Sequence, residues 1–287
     1  MDLKNFPKRF DWFVGIDSDG CVFPSMDIKQ KECFHPAIMD QWGLWKVEKE
    51  VRMVAEWVNL YSVHRGVNRF PGLRMTFDFL REMDSVRAAG IAIRETGDLE
   101  AYIKSGLPLG NDTLKTYVQE HPSLADVLEW SLEVNRRVAA TVKEVPPFPF
   151  VRESLEKLRP RVDMIVVSQT PTEALVREWK EHAIDGLVDF IAGQEQGSKK
   201  EHLQMAAAPN YPADRILMIG DALGDLKAVE AVGGFFFPIN PGHEAESWEN
   251  FYQEGIERFL AGSFKGAYQE KLMAAFKALL PEQPHWK

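Results

Sequence analysis

Phe13-Val14-Gly15-Ile16-Asp17-Ser18-Asp19-Gly20 is the stretch on which the reading of this chain turns. Four residues without polar alternation run straight into two aspartates and a glycine. A run apolar on both faces suits a parallel strand covered by helices on either side, and the abrupt change to Asp and Gly marks its carboxyl end. Similar runs return only much later, at Met164 to Val167, Leu187 to Ala192, Ile216 to Ile219 and Phe235 to Ile239. Strands of this kind, alternating with helical patterns, predict an α/β fold with a doubly wound, mostly parallel sheet.

The first strand is separated from the others by residues 25–145, which hold no convincing strand. Val47, Val51, Val54, Val58 and Tyr61 recur at spacings of three and four, and so do Leu124, Leu128, Leu132 and Val142, with Val138 and Ala139 between. Pro122 and Ser123 mark the start of the second of these helices. The block reads as an all-helical cap, residues 25–145, inserted into a core made of residues 1–24 and 146–287. Val145 to Phe150, VPPFPF, reads as a stiff return from it. The segment after Gly242 reads as helical, without a legible purpose.

Composition removes several classes of function. The 287 residues suffice for about two domains at roughly 150 residues each. A net charge of −9 repels a polyanion, so no nucleic-acid partner is expected. No apolar run approaches the ~18 residues of a membrane span, and the short apolar stretch before Asp17 is no secretory leader, which predicts a cytoplasmic protein with no membrane partner. Two cysteines, Cys21 and Cys33, are too few for a disulfide framework or a cysteine-based zinc site, and read as free thiols. Nothing in the sequence speaks to oligomeric state.

In an open α/β sheet, ligands sit beyond the carboxyl ends of the strands. Four polar segments lie at or just after such ends: Asp17-Ser18-Asp19-Gly20, Ser168-Gln169-Thr170, Gly197-Ser198-Lys199-Lys200, and Gly220-Asp221-Ala222-Leu223-Gly224-Asp225. Alone, Asp-x-Asp-Gly reads as a turn, and the last segment reads as an acidic loop capping the next helix. Together they bring carboxylates from two strands to one place, where they repel unless a cation sits between them. Ligands that are all oxygens suit Mg2+. A hydroxyl at Ser168 and an ammonium at Lys199 supply what phosphoryl oxygens require.

With these four motifs in this order, the chain resembles the haloacid dehalogenase superfamily over residues 10 to 24 and 146 to 242. The resemblance implies a phosphatase-type enzyme in which Asp17 is the nucleophile and Asp19 the general acid and base. It implies that Ser168 holds a phosphoryl oxygen, with Gln169 beside it as a substrate contact, and that a lysine offsets charge at the nucleophile. Lys199 fits that role better than Lys200 because of its spacing to Leu203. The implied metal set is Asp17, Asp19 through its main-chain carbonyl, and Asp221, with Asp225 either a further ligand or the residue that orients the lysine. A carboxylate at Asp19 favours phosphate esters over halide or carbon leaving groups, which need no such acid. Cys21 stands where the family usually has Thr, with Pro24 close behind.

Insertion of the cap directly after the first motif resembles the family's C1 type, which implies a small phosphorylated metabolite as substrate. Within the cap, Arg65 and Arg69 are the candidates for reading the leaving group. Their alternative role is bracing helices, for example through Glu56. Trp42, Trp45 and Trp57 read as cap core. Two other functions use similar parts: a phosphosugar mutase shares every core residue, and a receiver-like signalling module also phosphorylates an Asp beside a Ser or Thr and a Lys.

Overall fold

A computed structural model describes residues 3–287. Five strands, β1 (Phe13–Ile16), β2 (Asp163–Val167), β3 (Phe190–Ala192), β4 (Ile216–Gly220) and β5 (Phe235–Pro238), form one sheet in the order β3-β2-β1-β4-β5. Every pairing is parallel. β1 is central, and the strand order reverses between it and β4, the crevice where such sheets place ligands.

Both faces of the sheet are buried, which is why the strands show no polar alternation. Val14, Ile16, Met164, Val166, Leu217 and Ile219 pack into one apolar layer, and Phe13, Ile165, Val167, Ile216 and Met218 into the other. The segment after Gly242 acquires a purpose here. Trp248, Phe251, Ile256, Phe259 and Phe264 complete the first layer, while Phe276 of the Ala267–Ala278 helix joins the second. The predicted strand at Leu187 to Ala192 is shorter than expected: Asp185–Leu187 is a 3-10 turn, and pairing with β2 begins only at Phe190.

The chain divides into two units, one made of the chain up to Met26 with Glu144–Pro281, the other of Asp27–Lys143 with Glu282–Lys287. The last six residues thus join the helical unit and not the core in which the sequence reading put them. The reason is aromatic packing: Trp286 lies edge-on against Trp57 and Phe79, at 5.6 and 6.2 Å between ring centres.

The helical unit has its own core, to which Val51, Val54, Trp57, Val58, Phe70 and Phe77 contribute. Its Ala125–Thr141 helix buries Val127, Trp130, Ser131 and Val134. The expected stripe at Leu124, Leu128 and Leu132 is rotated by about one position, and Leu132 is 51% exposed. Both stripes satisfy helical spacing; the one carrying Trp130 removes the larger apolar surface from water. Trp45, expected in the core, is 46% exposed and donates its indole N–H to Asp40.

Candidate active site

The Asp17 backbone continues β1, donating its N–H to the Ile219 carbonyl at 3.0 Å. The chain then turns sharply. Gly20 takes a left-handed φ of 78°, and the N–H groups of Cys21, Val22 and Phe23 all point to the Ser18 carbonyl. Two buried indoles pin this turn from outside it: Trp179 Nε1 donates to Ser18 Oγ at 3.0 Å, and Trp248 Nε1 donates to the Cys21 carbonyl at 2.7 Å. Nothing in local spacing marks either tryptophan, since each reaches the turn from far along the chain.

Asp17 is 4% exposed, and Asp221 and Asp225 are fully buried. One carboxylate oxygen from each lies within 4.8 Å of the others. Lys199 Nζ bridges two of the three, at 2.8 Å from Asp17 Oδ2 and 2.7 Å from Asp225 Oδ1. Burial lowers the ammonium's proton affinity, but the two carboxylates outweigh it and hold Lys199 above the usual lysine range. Asp17 is pushed well above the usual carboxylate range, first by burial and then by Asp225 and Asp221, with Lys199 opposing. Lys200, one residue on, is exposed.

Lys199 owes its position to a helix start. Ser198 caps the Lys199–Ala206 helix, accepting from the Glu201 N–H, while Glu201 returns a bond to the Ser198 N–H at 2.7 Å. That reciprocal box fixes the first turn and with it the direction of the lysine. Asp225 caps a helix and meets the lysine. Its Oδ2 caps the Leu223–Glu230 helix by accepting from the Ala222 N–H at 3.1 Å, and its Oδ1 receives the lysine. Each Asp225 oxygen thus accepts from one donor, and the residue also belongs to the carboxylate cluster. Gly220 makes this possible, because a Cβ there would stand 2.5 Å from the Asp225 side chain.

Ser168 follows β2 and is 2% exposed, with its Oγ accepting from the Thr170 N–H at 3.2 Å. Asp19 accepts from Ser25 Oγ at 2.5 Å and from Thr170 Oγ1 at 2.7 Å. Gln169 is exposed and donates its amide N–H to the Gly197 carbonyl at 2.9 Å, so it ties the β2 loop to the lysine loop. Cys21 is fully buried, and burial together with Asp221 and Asp17 pushes its thiol up, which leaves it a neutral packed side chain.

In the helical unit the two arginines are engaged with helix ends and polar side chains. Arg65 is 4% exposed and donates to the Leu60 carbonyl at 2.9 Å, at the end of the Glu48–Asn59 helix, where a cation complements the macrodipole. Arg69 Nη1 donates to the Ser131 carbonyl, Ser131 Oγ and Asn135 Oδ1 at 3.0, 3.0 and 2.8 Å, and its guanidinium lies over Phe34. Burial lowers its pKa to about 10. These contacts tie both arginines to carbonyls and side-chain oxygens of the helical unit.

The site that results combines three buried carboxylates, a bridging ammonium and a buried hydroxyl. No protein-family model matches this chain, and no curated protein does. Among solved structures it is similar to a predicted phosphoglycolate phosphatase from Haemophilus somnus, at 15% identity and a TM-score of 0.48, over 80% of this chain and 85% of that one. A haloacid dehalogenase-like family hydrolase from Xanthomonas campestris aligns at 12% identity and a TM-score of 0.47, over 91% of this chain and 98% of that one. A haloacid dehalogenase-like family protein from Streptococcus pneumoniae aligns at 16% identity and 0.43, over 84% and 90%. This chain's own five-stranded parallel sheet collects its polar motifs beyond the carboxyl ends of the strands.

Proposed function

We propose that this chain is a magnesium-dependent phosphatase that hydrolyses a small phosphorylated metabolite through an aspartyl-phosphate on Asp17. The observation that carries the reading is the Lys199 ammonium held between Asp17 and Asp225, with the buried Asp221 beside them. Three buried carboxylates gathered in one place offer the all-oxygen ligand set that a small divalent ion would take. Asp17, Asp221 and the Asp19 main-chain carbonyl would hold Mg2+, which supplies positive charge to the phosphoryl oxygens.

The chain's own residues account for the rest of the chemistry. A carboxylate oxygen of Asp17 forms a bond to phosphorus as the ester oxygen departs in line. Asp19 gives its proton to that leaving oxygen. The same carboxylate then takes a proton from water, whose oxygen attacks phosphorus, releasing phosphate and restoring Asp17. Lys199 and the Ser168 hydroxyl stabilise charge on the phosphoryl group while it transfers. They are fixed before substrate arrives, so no reorganisation is needed in the transition state.

A panel of small phosphate monoesters tests this. Phosphate release should require Mg2+, vanish in excess EDTA and return when Mg2+ is restored. Full activity in excess EDTA would overturn the metal assignment. Isomerised phosphosugar in place of free phosphate would make the chain a mutase, and labelling without turnover would make it a receiver-like module.

A further inference from the structure

The Asp19 carboxylate is gripped at both ends. Ser25 Oγ donates to Oδ1 at 2.5 Å, and Thr170 Oγ1 donates to Oδ2 at 2.7 Å. The two hydroxyls come from separate segments. Ser25 is fully buried and opens the short Ser25–Ile28 helix, while Thr170 lies in the loop after β2. Thr170 is itself fixed, with its N–H on Ser168 Oγ at 3.2 Å and its carbonyl accepting from the Gln194 N–H at 3.1 Å. The loop that places the phosphoryl-binding serine therefore also places one of the hydroxyls on the acid.

We propose that Ser25 and Thr170 are positioning residues that fix the orientation of the Asp19 carboxyl group, so that its proton is delivered to one point. The proposal rests on the reading of Asp19 as general acid and base. The choice of hydroxyl groups follows from that alternation. An ammonium or a backbone N–H can only donate, and cannot accept from the protonated carboxyl oxygen. A hydroxyl donates to a carboxylate and, after rotating, accepts from a carboxylic acid, so the same two partners hold Asp19 through both half-reactions. A proton donor displaced by about 1 Å loses up to about a hundredfold in rate, which gives such a clamp catalytic weight without contact to substrate.

Phenyl phosphate and p-nitrophenyl phosphate separate positioning from folding, because they match closely in size and differ in how much protonation the leaving group needs. Thr170→Val keeps the shape of the half-buried side chain and removes its hydroxyl. It should lower kcat on phenyl phosphate by about ten- to a hundredfold with KM little changed, lower it by less than about threefold on p-nitrophenyl phosphate, and be rescued by Thr170→Ser. Ser25→Ala should act in the same direction. Equal losses on the two esters, or a loss that Thr170→Ser does not relieve, would overturn the proposal. Crystal structures of the wild type and of the Ser25→Ala/Thr170→Val double variant provide a readout that needs no turnover: the Asp19 carboxyl group should leave its position or occupy several in the variant. An unmoved, singly ordered Asp19 would overturn the clamp. Absence of hydrolysis of either ester by the wild type would overturn the phosphatase reading instead, and the two crystal structures would still decide whether the hydroxyls hold Asp19.

Discussion

At the amino end of the sheet two carboxylates are matched by two guanidinium groups, while at the carboxyl end one ammonium lies between two of three clustered carboxylates. Asp163, the first residue of β2, accepts from Arg9 Nε at 2.9 Å and from the Tyr211 hydroxyl at 2.7 Å. Asp189 pairs with both Arg9 and Arg159. At the other end Asp17, Asp221 and Asp225 cluster, with Lys199 held between Asp17 and Asp225. The first arrangement is balanced and anchors the residues leading into β1. The second gathers buried carboxylates at one point, where the proposed function would place a cation and a phosphoryl group. In the helical unit Arg65 donates to a helix carbonyl and Arg69 to a carbonyl and polar side chains.

The strongest challenge to this contrast is Asp17→Asn. It removes the attacking charge while preserving shape, so phosphate release should fall to background and the melting temperature should move little. Retained turnover would remove Asp17 as nucleophile. Lys199→Ala comes next: loss of a fixed electrostatic group should cost about 2–4 kcal/mol in kcat/KM. Lys200→Ala, at an exposed position, should leave kcat/KM near wild type; a reversal of the two would move the catalytic lysine by one residue.

At the balanced end the effect should be on stability. Asp163→Asn replaces a buried carboxylate with four donors by a weaker acceptor, and should cost about 1–3 kcal/mol in denaturant unfolding with kcat preserved. In the helical unit Arg69→Met should cost about 1–2 kcal/mol by stranding the Ser131 and Asn135 oxygens, with equal kcat/KM ratios to wild type across esters. A loss confined to the natural metabolite, sparing acetyl phosphate, would instead make Arg69 a reader of the leaving group.

The smallest effect concerns a third way of settling buried charge, which is to discharge the group. His35 is fully buried with no hydrogen-bond partner on either ring nitrogen among the described residues. Burial, with Arg52 and Lys31 nearby, lowers its pKa to about 3. Between that value and the ordinary 6.5 the unfolded chain holds a proton that the folded chain does not, so the His35 contribution to stability rises with pH across this window and is lost on acidification. His35→Leu should therefore flatten the dependence of melting temperature on pH between about 4 and 6.5. An unchanged slope would show that His35 charges in place.

Much of this was readable along the chain because it depends on neighbours in sequence. Strands buried on both faces must be apolar at every position, so the five runs stand out, and the polar residues that end them mark one edge of the sheet. Asp17, Asp19, Ser168, Lys199, Asp221 and Asp225 are legible for that reason. The Ser198 and Glu201 box is equally local, and it sets Lys199, not the adjacent Lys200, toward the carboxylates. What spacing could not reveal depends on partners distant in sequence. Trp179 on Ser18, Trp248 on Cys21 and Thr170 on Asp19 join segments 161, 227 and 151 residues apart. The packing of Trp286 onto Trp57, and the choice of the Trp130 stripe over the Leu132 stripe, are of the same kind. Helical periodicity and strand apolarity record how each segment meets an average interior, whereas a particular hydrogen bond or ring contact exists only once folding has fixed both of its ends.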